Sequence, residues 1–286
     1  MRLMIPIIAL AAAACNPQTE SGSDPVDAQS PTPAVTDSEA AGPAIPEPAA
    51  PPGEDGRPET KSDGSFDLSE ETDLYLFEYK YPTAVGANPE LAALLDRRQE
   101  RAKASLARTS STARDEARDR GFPYNKHSYQ GEWKVVTDLP DWLSLSLEFA
   151  TYSGGAHGMY GIEALLWDKN GHRALKGINL FTSPAALYDA SSERFCELLN
   201  QEREKRRGQP VDPERDELFS QCPGIEELTV LLGSSNRRAF DRMTFYAGPY
   251  VAGPYAEGAF EINLPVTAAV VDAVDPQYRE FFRARN

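Results

Sequence analysis

A hydroxyl and an imidazole stand close together in Ser153-Gly-Gly-Ala-His157, within the run Thr151-Tyr-Ser-Gly-Gly-Ala-His-Gly158. Paired in space they could serve as nucleophile and general base, with Glu148 or Glu163 orienting the ring. A Ser/His hydrolase is therefore one expectation for this chain. It lacks support elsewhere: Ser153 is not in a Gly-x-Ser-x-Gly nucleophile turn, and no oxyanion platform is legible. The glycines are more simply explained by positive φ and close backbone approach in a bulged turn. His157 would then hydrogen-bond backbone groups and fix that turn.

Gly248-Pro-Tyr-Val-Ala-Gly-Pro-Tyr-Ala-Glu-Gly258 is the second unusual segment. Its two Gly-Pro-Tyr copies make a turn-rich loop that presents Tyr250 and Tyr255. Tyrosines on such a scaffold combine flat apolar area with a hydroxyl and suit recognition of a protein or glycan. The alternative is that the rings cover a sheet edge. His157 is a weaker candidate for the same binding role.

Other chemistries find little purchase. His127, His157 and His172 have no metal-ligand spacing, and the acids form no calcium loop. No glycine loop before a helix cradles phosphate, and no carboxylate pair for glycoside hydrolysis can be singled out. Neither a metal nor a cofactor is expected. Cys196 and Cys222, an even pair in an exported domain, are expected as a disulfide. It would close a loop of about 25 residues, a constraint on the order of 3 kcal/mol.

These residues need elements to position them. Aromatic alternation over Asp73–Tyr81 predicts a strand. Asn88-Pro89 predicts the N-cap and first turn of a long helix ending near Arg120, before Gly121, with Thr109–Thr112 as its weak point. Strands follow at Ser128–Thr137, Trp142–Tyr152 and Met159–Trp167. The middle one, with Leu143, Leu145, Leu147 and Phe149 on one face, reads as half-buried. Lys169-Asn170-Gly171 predicts a turn in which Asn-Gly takes positive φ, and His172 beside it an exposed residue. A short strand through Leu175 and Ile178 comes next. Ser183-Pro184 caps a second helix from Ala185 to about Arg206, closed by a basic turn and Gly208. Strands near Leu228–Leu232, Asp241–Tyr246 and Ala259–Leu264 precede a helical C-terminus, Val266–Arg285, interrupted at Pro276. The fold class is α+β: a largely antiparallel sheet covered by two long helices, an N-terminal strand–helix unit (66–140) joined to a C-terminal sheet domain (141–286).

The chain opens differently. Met1-Arg2 and an apolar run to Ala14 describe an export signal over residues 1–14, too short to span a bilayer. Ala13-Ala14-Cys15 fits a lipobox, so Cys15 is expected to carry lipid. Asn16 rather than aspartate after it favours the outer membrane. Residues 15–65 then read as a disordered tether: positions 16–65 hold ten prolines, no aromatic residue, and ten Asp/Glu against Arg57 and Lys61. Positions 66–286 carry 26 Lys/Arg against 34 Asp/Glu. That acidity argues against nucleic acid and permits attraction to a basic partner. No oligomeric state is legible.

Taken together, YSGGAHG between strands, Asp168-Lys-Asn-Gly-His172, Gly177-Ile-Asn-Leu-Phe181 and the stretch from Gly248 to Val266 resemble an exported bacterial domain family of unnamed function. The chain is similar to the ectodomain of RsiV-type anti-sigma factors and to the non-catalytic N-terminal region of PdaC-type peptidoglycan deacetylases, over roughly Tyr75 to Phe282. The resemblance implies an α+β fold in two associated parts and ligand recognition in the envelope, the ligand being a lysozyme-like protein or peptidoglycan. It implies neither sigma-factor control nor deacetylation here, because neither a cytoplasmic sigma-binding segment nor a catalytic domain accompanies the resembling region. A purely structural envelope role is the further alternative.

Overall fold

The computed structural model describes residues 59–212 and 218–285. The expected leader 1–14, Cys15 and the tether as far as residue 58 lie outside them.

The first sheet contains β1 (Glu59–Thr60), β2 (Phe66–Glu71), β3 (Tyr75–Tyr81), β4 (His127–Asp138), β5 (Trp142–Tyr152), β6 (Met159–Asp168) and β7 (Arg173–Leu175), hydrogen-bonded in sequence order. Neighbours are antiparallel except β3 and β4, which run parallel. A parallel pair needs a crossover. It is supplied by the single turn α1 (Thr83–Gly86) and the long α2 (Pro89–Arg120). Alternation in β3 sends Tyr75, Phe77, Tyr79 and Tyr81 into a core with Leu91 and Leu95 of α2. The helix ends where expected, since Gly121 takes φ 72° and its N–H bonds the last-turn carbonyls. Its start differs in mechanism: Asn88 occupies the N-cap without capping, and its Nδ2 donates to Ala84 O at 2.8 Å. The helix runs unbroken through Thr109–Thr112.

The second sheet is antiparallel, with order β10 (Phe260–Pro265), β9 (Arg242–Ala247), β8 (Thr229–Gly233). One face packs on α3 (Pro184–Arg207), where Leu187, Phe195 and Leu199 join Val230, Leu232, Phe245 and Ile262 in a second core. The Ser183 hydroxyl accepts from Ala186 N at 3.0 Å and Gly208 closes the helix at φ 67°. The Cys196–Cys222 disulfide is formed, with Cα atoms 5.7 Å apart.

β8 lies against β4, β5 and β6, and the Thr229 hydroxyl donates to Ile162 O at 3.1 Å. This stacking corrects the half-buried reading of β5. Leu143, Leu145 and Leu147 face the first core, while Trp142, Ser144 and Ser146 on the other side are buried as well. The α+β class with two long helices stands, but the strands form two sheets that each carry one helix rather than one sheet covered by both. The partition does not fall at 140/141, because β4 and β5 pair along their lengths across that point. Strand pairing also begins earlier than composition suggests, at Glu59 inside the segment read as tether.

Three local expectations change. At the β6–β7 turn, positive φ falls on His172 (48°) rather than on Asn170 or Gly171. The Asp168 carboxylate there accepts from Asn170 N at 3.1 Å and Gly171 N at 2.8 Å, which bends the chain one residue later. The strand after it stops at Leu175, and Ile178 sits in a 3₁₀ turn, Gly177–Leu180. The C-terminus is not one helix but α4 (Ala268–Ala273) followed by a 3₁₀ turn, Pro276–Phe281, with Phe282 buried in the second core.

Candidate functional site

The β5–β6 ladder closes at the Thr151–Met159 pair. Gly158 is needed there for space, since a Cβ on it would lie 2.4 Å from Thr151 O. Gly154 and Gly155 both take φ 91°, which side chains rarely adopt. The hydroxyl of Tyr152 donates to Gly155 O at 3.1 Å and ties the tip back to the strand. This junction carries His157 outward.

Both imidazole nitrogens are engaged. Nδ1 lies 2.9 Å from Gly158 O and Nε2 lies 3.2 Å from the Tyr250 hydroxyl. A carbonyl can only accept, so Nδ1 carries the proton. In the neutral ring Nε2 then accepts from Tyr250. Tyr255 stacks on the same imidazole, with centroids 3.8 Å apart and planes 22° from parallel. Tyr250 lies 5.7 Å from Tyr255 centroid to centroid, and Tyr160 meets Tyr255 edge-on at 6.1 Å. Tyr250 is 48% exposed. Burial pushes the Tyr255 hydroxyl's pKa up, with Tyr160 and Tyr250 adding to it. The result is an open aromatic surface built from the two segments that the sequence marked as unusual.

The Tyr-bearing loop repeats in sequence but not in conformation. Gly248-Pro249-Tyr250-Val251 is a turn closed by Val251 N donating to Gly248 O at 3.1 Å. Tyr250 holds its third position at φ 69°, where such turns favour glycine or asparagine. A non-glycine residue in such a region costs about 1–3 kcal/mol. At the second copy, Tyr255 opens a 3₁₀ turn, Tyr255–Glu257.

Arginines of α3 anchor this loop from beneath. Arg207 grips Glu257 through two nitrogens at 2.8 and 3.0 Å. Gly253 gives that carboxylate room, since a Cβ there would sit 2.3 Å from its Oε2. Arg206 donates to Glu257 O and Ala259 O while its guanidinium covers the Phe260 ring at 3.9 Å. Sequence reasoning treated these residues only as a basic helix end. The available signal was Glu257, the single charge between Gly248 and Gly258.

Ser153 does not join the cluster. It is exposed and makes no hydrogen bond with His157. Glu148 pairs with Lys134, and Glu163 lies 3.8 Å from Arg98, so neither orients the imidazole. His172 sits in its turn, 3.6 Å from Glu90, and His127 is buried at the start of β4. Among the described residues no group of three or more His, Cys, Asp or Glu could hold a metal.

Residues 68–160 match the family described as Deacetylase PdaC, so this segment, from β2 to the first residues of β6, is PdaC-like. It brings His157 and Tyr160 but stops well before Tyr250. A DUF3298 family member from Bacteroides fragilis is similar at 18% identity, over 71% of this chain and 89% of its own, with a TM-score of 0.44. A DUF3298 family protein from Pseudomonas aeruginosa PAO1 is similar at 17% identity, over 77% and 97%, with a TM-score of 0.43. No curated protein matches the chain.

Proposed function

We propose that this protein is a non-catalytic recognition domain of the bacterial cell envelope, and that the His157–Tyr250–Tyr255 surface binds its ligand. The observation that carries this reading is an exposed tyrosine in an unfavourable backbone conformation, held there by an anchored loop and a histidine. Strain of that kind persists only where the surroundings enforce it, and it concentrates at functional positions. A ring that merely covered a sheet edge would need no such conformation. The open surface and the acidic balance of positions 66–286 favour a basic protein, which is the chemistry of a lysozyme. Peptidoglycan, the second expected ligand, is supported by the same exposed rings. Both ring nitrogens of His157 are engaged away from Ser153, so the geometry supports recognition over nucleophilic catalysis. Among the described residues no helix is long and apolar enough to cross a membrane. Lipid attachment at Cys15 is part of the proposal: acylation would hold the domain at the outer membrane.

Pull-down of the protein with lysozyme and with purified sacculi tests the reading. Retention of either ligand, lost in a Tyr250→Ala/Tyr255→Ala variant, is expected. No retention of either at micromolar concentration would remove both ligands, and equal retention by the variant would remove the surface.

A further inference from the structure

Beneath the aromatic surface lies a buried cation. Arg203 of α3 is 0% exposed. Its Nε donates to Ala252 O at 2.9 Å, Nη1 to Asn200 Oδ1 at 3.0 Å and to Ser220 O at 3.2 Å, and Nη2 to Gln221 O at 2.9 Å. Among the described residues no carboxylate touches the guanidinium; carbonyl and amide dipoles compensate it. Burial, helped by neighbouring Arg207, lowers its pKa to about 10, so it keeps its charge at neutral pH.

Its carbonyl acceptors come from two places. Ala252 lies between Tyr250 and Tyr255 in the ligand loop. Ser220 and Gln221 immediately precede Cys222, which is bonded to Cys196 on α3 itself. Cys196, Asn200 and Arg203 follow one another at helical spacing along one stripe of α3. The disulfide therefore pins residues 220–222 to the same helix stripe that carries the guanidinium. The Tyr188 hydroxyl reinforces it by donating to Pro223 O at 2.9 Å.

We propose that Arg203 is a positioning residue of the aromatic surface, and that the Cys196–Cys222 bond makes that surface sensitive to thiol–disulfide exchange. The purpose of the surface rests on the recognition reading above; the coupling does not. A dithiol reductant gives up two electrons and two protons and closes its own disulfide, while Cys196 and Cys222 become thiols. Residues 220 and 221 are then no longer fixed covalently beside Arg203. A buried guanidinium short of fixed acceptors must move or admit water. Ala252 moves with it, and the His157–Tyr250 hydrogen bond and the Tyr255 stack loosen.

The test follows the imidazole nitrogens of His157 by NMR in the full chain. A second reporter of folding is the Trp133 indole N–H, which donates to the Tyr79 hydroxyl at 2.7 Å in the other core. With the disulfide intact, His157 shows the single Nδ1–H tautomer. After dithiothreitol, or in a Cys196→Ser/Cys222→Ser variant, it averages between tautomers while the Trp133 signal stays. Arg203→Lys keeps the charge and the disulfide but cannot span Ala252, Ser220 and Gln221 together, so it gives the same His157 change. Lysozyme binding weakens at least about tenfold in each case. An unchanged His157 signal in both variants overturns the proposal. If only the double serine variant loses the Trp133 signal, Arg203→Lys decides. Loss of that signal in both makes Arg203 a fold-wide brace and also overturns the positioning role. Failure of both lysozyme and purified sacculi to bind the unaltered protein contradicts the recognition reading, while the His157 signal still decides the coupling.

Discussion

At Tyr250, the side chain and the backbone ask for different residues. Its φ of 69° suits asparagine or glycine, whereas its ring and hydroxyl complete the surface around His157. Tyr250→Asn is therefore expected to leave stability unchanged or raise it by up to about 1 kcal/mol in urea unfolding, because the left-handed cost falls. The same substitution is expected to abolish ligand binding. A loss of more than about 1 kcal/mol would mean that the ring is there to stabilise the loop. Gly158 shows the opposite situation, where space decides. A Cβ 2.4 Å from Thr151 O forces apart the closing pair of the ladder, so Gly158→Ala should cost about 2 kcal/mol. Gly155→Ala meets open space and bears only the positive-φ penalty, about 1 kcal/mol. Urea midpoints of the two variants should rank in that order.

Among the elements, the two long helices begin at similar sequence signals with different mechanics. Ser183 caps α3 through its hydroxyl, so Ser183→Ala should cost about 1 kcal/mol. Asn88 spends its side chain on Ala84 O, so Asn88→Ala should cost less than Ser183→Ala by thermal or urea unfolding. These ends, and β4 to β6, were legible because proline, glycine and apolar period are local signals. β2 was not, since its inward Phe66 and Leu68 are followed by acids that read as loop. The C-terminus misled because Val270, Val271 and Val274 suit a helix that Pro276 and the Phe282 contacts cut short. For the site, both segments were visible as glycine, proline and tyrosine patterns. Their meeting was not, because it depends on the small sheet stacking on the large one. The anchors were hidden for a related reason: Arg203 and Arg206 bond backbone carbonyls, which leave no mark in side-chain sequence.

Over the whole molecule, two cores share the central strands, and one buried histidine links their stability to acid. His127 is 4% exposed, and its Nδ1 has no hydrogen-bond partner among the described residues. Burial lowers its pKa in the folded state. Below the ordinary imidazole value of about 6.5, the unfolded chain binds a proton that the folded one refuses. The unfolded state then holds more protons, so this group makes stability rise with pH and fall on acidification from about pH 6.5 down to its lower folded pKa. His127→Gln should flatten the change in urea midpoint between about pH 7 and pH 5.5; an identical slope would remove His127 as its source. The acidic charge of positions 66–286 acts over the same scale and should make binding of a basic partner weaken with salt. The central claim is that the His157–Tyr250–Tyr255 surface recognises such a partner, and the dissociation constant for lysozyme tests it most directly, measured with the unaltered protein and with Tyr250→Ala/Tyr255→Ala. Micromolar or tighter binding that weakens at least about tenfold in the variant is predicted. Equal affinities, or no binding by the unaltered protein, would contradict it.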